Sequence, residues 1–113
     1  MVQDFNTHKS GDTWKGISSI TFTSSGTPVN LSGALVHMQV RLSTDSPAVM
    51  DLSLGNGIYI VNSYDSGTIT IPKRVINFPV GNYKYEIELT LPNGDVNTFL
   101  EGSWPITADI TRS

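Results

Sequence analysis

Along residues 34–42 apolar side chains fall on every second position: Ala34, Val36, Met38, Val40 and Leu42, separated by Leu35, His37, Gln39 and Arg41. The same alternation runs through Tyr83, Tyr85, Ile87, Leu89 and Leu91, interleaved with Lys84, Glu86, Glu88 and Thr90. Successive strand side chains point to opposite faces, so each segment predicts a strand with one buried and one wet face. A third alternation, residues 96–110, keeps Val96, Thr98, Leu100, Gly102, Trp104, Ile106, Ala108 and Ile110 in one phase. Pro105 interrupts its other phase. Proline donates no ladder hydrogen bond, which predicts an edge strand or a bulge there.

Weaker signals fill the rest. Residues 2–8 predict a first strand, closed by a turn at residues 9–12. Residues 14–23 predict a second, with Trp14, Gly16, Ser18, Ile20 and Phe22 facing inward. A turn is expected at residues 24–28, then an irregular crossing at 29–33 with Leu31 tucked in. Residues 49–54 predict a strand with Met50, Leu52 and Leu54 on one side. Gly55-Asn56-Gly57 supplies the positive φ of a tight hairpin into residues 58–62. A turn at residues 63–67 and a strand at 68–71 follow. Residues 72–79 predict one helical turn, with Val75, Ile76 or Phe78 plugging the core. Pro92-Asn93-Gly94-Asp95 predicts a second hairpin.

No segment carries a helical period. About seven to nine short strands with regular turns predict an antiparallel β-sandwich, with a small barrel as the alternative. The expected core is Trp14, Ile20, Phe22, Val36, Met38, Val40, Tyr85, Ile87, Leu89, Leu100, Trp104 and Ile106.

A length of 113 residues fits one domain spanning 1–113. The net charge is −3 and the seven basic residues are scattered, Lys73-Arg74 being the one adjacent pair. This does not make the basic stripe that nucleic acid requires. With no cysteine, disulfides and thiolate metal sites are excluded. The chain lacks an apolar run long enough to span a membrane and a basic-then-apolar leader at Met1, so synthesis in a cytoplasm and no membrane contact are expected.

Candidate chemistry is sparse. His8 and His37 lie on different expected strands without acidic neighbours at ligand spacing, and read as solvent-facing. Glu86 and Glu88 share one face; acid–base work needs one carboxylate desolvated, and their alternation with an apolar face predicts a solvated surface instead. Trp14, Trp104, Tyr59 and Tyr64 could form a sugar-stacking platform, but both tryptophans occupy the inward phase of their strands. Gly55-Asn56-Gly57 lacks the third glycine and following helix of a phosphate cradle. No catalytic residue, metal site or cofactor site is expected, and the chain does not read as an enzyme.

One constellation is more specific. Gly81-Asn82-Tyr83-Lys84-Tyr85 opens the clearest strand. A tyrosine there can return its hydroxyl to the backbone upstream, as at the corner of immunoglobulin-like domains, with Tyr85 standing where antibody domains place a cysteine.

Taken in order, several elements resemble small tail and baseplate domains of tailed bacteriophages, in particular the N-terminal immunoglobulin-like domain of phage baseplate upper proteins. They are Gly11-Asp12-Thr13, residues 26–34 (Gly-Thr-Pro-Val-Asn-Leu-Ser-Gly-Ala), Gly57 with Tyr59, the corner at residues 78–83, the turn at 92–95, and Glu101-Gly102. The resemblance implies an immunoglobulin-like sandwich in the virion tail, made in the host bacterium. It implies a non-enzymatic role as structural or adaptor component, with other tail or baseplate proteins as partners and a homo-oligomer among the assemblies allowed. A carbohydrate-binding module touching the host surface is the alternative expectation.

Overall fold

The computed structural model describes residues 3–108. In chain order its strands are β1 (His8–Lys9), β2 (Thr13–Trp14), β3 (Ile17–Thr21), β4 (Thr23–Ser24), β5 (Thr27–Pro28), β6 (Leu35–Arg41), β7 (Ala48–Leu54), β8 (Gly57–Ile60), β9 (Thr68–Ile71), β10 (Arg74–Val75), β11 (Gly81–Thr90) and β12 (Val96–Thr107). A single 3₁₀ turn, Tyr64–Ser66, lies between β8 and β9. The fold is all-β, as the alternation demands.

Eight strands make one curled sheet in the order β1-β12-β11-β6-β7-β8-β9-β3. Its centre is antiparallel: Ile87 of β11 stands between Leu100 of β12 and Met38 of β6, and Met38 pairs onward with Leu52 of β7. The inner face carries Val36, Met38, Val40, Leu52, Ile87 and Leu89, all buried. Leu31, Ile58, Ile69 and Ile71 meet them in the same cluster. Ribbons β2–β10 and β4–β5 flank the sheet. The β4–β5 turn has Ser25 and Gly26 at φ 54° and 80°, the left-handed pair of a tight hairpin.

The sheet is mixed, because β7 pairs with β8 in parallel. The hairpin expected at Gly55-Asn56-Gly57 is therefore corrected. Gly55 and Gly57 both take positive φ (88° and 96°), and the Gly55 N–H donates to Ile58 O at 2.7 Å. Positive φ on both sides of Asn56 coils the chain so that it continues in its former direction. Gly57 also packs closely: a Cβ there would stand 2.5 Å from Leu52 Cδ2.

Other expectations fail at identifiable points. The strand expected over residues 14–23 breaks at Gly16, whose φ is 77° and whose Cα lies against the Ile71 carbonyl, 2.1 Å from where a Cβ would sit. A register shift between Ile17 and Ile20 leaves Ile17 and Ile20 half-buried and Ser18 exposed; Trp14 is half-buried too. In place of a helical turn, residues 72–79 contain β10, where Arg74 pairs with Trp14. Ile76 and Phe78 are the plugs, while Val75 is exposed. Leu42, expected inside, is 50% exposed just beyond β6.

The phase of β12 is also broken. Leu100 opposes Ile87 but Thr98 opposes Glu88, so Phe99 is the extra residue of a bulge. Its ring lies edge-on to Phe22 at 4.6 Å, whereas Val96 and Thr98 turn outward. Ile110 lies outside the described residues. Pro105 is not at the bulge. It pairs with Asn82 on one side.

At the N-terminal end the first strand is shorter than expected. Gln3 to Thr7 form a strap rather than a regular strand, and β1 runs parallel to β12 with His8 opposite Ile106. The strap's Gln3 and Phe5 amides donate to the Glu101 and Ser103 carbonyls at 2.7 and 2.9 Å. An N–H and C=O of one strand residue share a side, so the donor that Pro105 lacks faces this irregular strap, where its absence is tolerated.

Candidate functional site

Three regions hold the chain's polar and aromatic chemistry. The first is the wet face of β6, β7 and β11. Cross-strand register sets His37 between Glu88 and Ser53, Gln39 between Glu86 and Asp51, and Arg41 beside Lys84. His37 stands on the wet face of its strand as expected, its side chain 41% exposed, and hydrogen-bonds there through Nε2 to Asp51 Oδ1. The two are fourteen residues apart, so no spacing rule reveals the pair; only the β6–β7 register does. Gln39 Nε2 donates to Asp51 Oδ2 at 3.1 Å. Arg41 donates to Gln39 Oε1 at 2.8 Å and to the Ser46 carbonyl at 2.7 Å. Hydrogen bonds from His37 and then Gln39 hold the Asp51 carboxyl below its ordinary value. Glu86 is exposed and Glu88 half-exposed, the solvated face expected of them.

The second region is the aromatic cluster under the strap. Phe5 stacks on Tyr85 with centroids 4.0 Å apart and planes at 14°. It meets Trp104 edge-on at 5.0 Å, and Trp14 tilts against Trp104 at 4.8 Å. The strap passes so close to Gly102 that a Cβ there would stand 2.2 Å from the Gln3 carbonyl oxygen. The Tyr85 hydroxyl donates to that same carbonyl. Asp4 Oδ1 accepts from the Ser103 N–H at 2.9 Å. Burial first, and the Asp4 charge second, push the Tyr85 phenol up to about 12. At the neighbouring corner the Tyr83 hydroxyl donates to the Pro79 carbonyl at 2.7 Å, as the sequence predicts, and burial raises its pKa.

This cluster takes up both tryptophans, as their inward phase predicts, and leaves no four-residue stacking platform. Trp104 is 1% exposed and Trp14 half-buried, both committed to packing; Tyr59 and Tyr64 are exposed. His8 Nε2 donates to the Asp12 carbonyl at 2.9 Å. Among the described residues no three histidine, aspartate or glutamate side chains converge as metal ligands. No helix among them is long and apolar enough to cross a membrane.

The third region is a cleft of about 700 Å³ between β3 and the first half of β12. Ile20, Val29, Leu91 and Phe99, all half-buried, lie along it with serines, threonines and Asn97 between them. No ionisable side chain lines it. Strand β3 ends the sheet and is paired on one side by β9. Sequence reasoning missed this cleft because it depends on Gly16 and on the Phe99 bulge, which set the phases of β3 and β12.

No family model matches the chain, and no curated protein matches it.

Proposed function

We propose that the chain is a non-enzymatic structural or adaptor component of a bacteriophage or prophage tail or baseplate, working through protein–protein contacts in the virion. The observation that carries this reading is the open end of the sheet at β3. An end strand offers unpaired N–H and C=O groups to a partner strand, and alternate side chains of that strand would enter the adjoining apolar cleft. Neither Lys nor Pro lies within Ile17–Thr21 to discourage such addition, and the cleft beside it carries no charge.

The immunoglobulin-like sandwich belongs to the same proposal. The curl that sets β8, β9 and β3 around the core, together with the Tyr83 corner, supports it. Tail symmetry would repeat a modest pairwise contact many times, so weak affinity suffices. A carbohydrate-binding module remains the second reading, favoured by exposed Tyr59 and Tyr64. The test is mass spectrometry of purified phage particles produced by a host carrying the gene. The chain should be found with tail and baseplate proteins; its absence from intact particles overturns the proposal.

A further inference from the structure

On the wet face, between β6 and β11, lies a half-open cavity of about 160 Å³, bounded by Gln39, Arg41, Lys84, Glu86 and Glu88 with His37 at one end. That space takes one six-membered polyol ring and little more. Its formal charges balance: Lys84, Glu86 and Glu88 alternate along β11, and Arg41 of β6 stands opposite Lys84. An anionic ligand meets Glu86 and Glu88, a cationic ligand meets Arg41 and Lys84, and a neutral one is opposed by neither.

The β6 wall is also held in place before any ligand arrives. Arg41 is tied to Gln39 and Ser46, Gln39 to Asp51, and Asp51 to His37. Side chains already fixed have little rotamer freedom left to lose on binding. Glu86 and Glu88 make no hydrogen bond or ion pair among the described residues, so their acceptor oxygens face the cavity uncommitted. A guanidinium carries five N–H groups, and Arg41 directs three of them at Gln39 and Ser46. A hydroxyl both donates and accepts, so a ring of hydroxyls can donate to the Glu86 and Glu88 carboxylates of β11 and accept from the guanidinium N–H groups that Arg41 of β6 leaves over.

We propose that this cavity is a binding site for a single neutral sugar ring, read by hydrogen bonds alone. A zwitterion such as a free amino acid fits less well: Lys84 Nζ is engaged by Ser103 Oγ of β12 at 2.9 Å, which leaves the ligand's carboxylate Arg41 alone, beside two carboxylates that repel it. Tyr85 also lines the cavity, but its ring is buried against Phe5 and offers no stacking face, so affinity is expected to be roughly millimolar. The proposal does not rest on the tail role and sits on a different face from the β3 cleft.

The test is an ¹⁵N–¹H titration of the intact chain with glucose, galactose, mannose and N-acetylglucosamine, separately. At least one should give saturable shifts confined to amides of β6 and β11. In Glu86→Ala/Glu88→Ala, whose thermal midpoint should stay near that of the parent, those shifts should weaken at least tenfold. Three results would overturn the proposal: no saturable response to any of the four sugars, saturation by glycine in their place, or shifts centred on Tyr59 and Tyr64.

Discussion

Two tyrosines separated by one residue do different work. Tyr83 anchors the corner through a hydroxyl bond to Pro79, so Tyr83→Phe should keep the fold and lose on the order of 1 kcal/mol, read from the urea midpoint. Tyr85 is pinned beneath the strap, with its pKa pushed from 10.0 up to about 12. A folded-state pKa raised above the unfolded value favours folding fully below pH 10 and is lost as pH climbs towards about 12. Stability should therefore fall through that alkaline window. Tyr85→Phe should flatten the fall, as measured by unfolding at stepped pH. Gly102 is the third informative residue. Because a Cβ would meet the Gln3 carbonyl at 2.2 Å, Gly102→Ala should lift the strap and cost roughly 1–3 kcal/mol, the range for overpacking. A red shift of tryptophan emission, as Trp14 and Trp104 lose Phe5, is the expected readout.

The elements divide by how much their residues alone determine them. Strands β6 and β11 were legible because alternation is a local consequence of strand geometry, and Tyr83 because its role is set within a few residues. What escaped was set by distant neighbours. Gly16 breaks a strand because the Ile71 carbonyl sits against it. The 55–57 coil resembles a hairpin in sequence because both need glycine at positive φ, and Leu52 packed on Gly57 is not visible from composition. The His37–Asp51 pair needs the β6–β7 register. The N-terminal strap carries no alternation, since its anchors are backbone bonds and one stacked phenylalanine. Gly57→Ala should accordingly destabilise, having both φ 96° and a 2.5 Å approach to Leu52 against it; a calorimetric midpoint equal to the parent's would refute that reading of the turn.

At the scale of the molecule, one apolar cluster joins both arms of the curled sheet. Ile87, fully buried at its centre, is the residue whose truncation should be felt throughout: Ile87→Ala is expected to cost roughly 2–5 kcal/mol. The outer surfaces then divide into a polar, prearranged face at β6–β11 and an uncharged cleft beside the end strand β3. The functional reading stands on the second, and hydrogen–deuterium exchange compares it directly in two states. In the isolated chain the amides of Ile17–Thr21 should exchange quickly on the side of β3 away from β9. In purified particles containing the chain they should become protected by at least tenfold, as a partner strand completes the ladder. Equal exchange in both states, or protection confined to β6 and β11, would contradict the account.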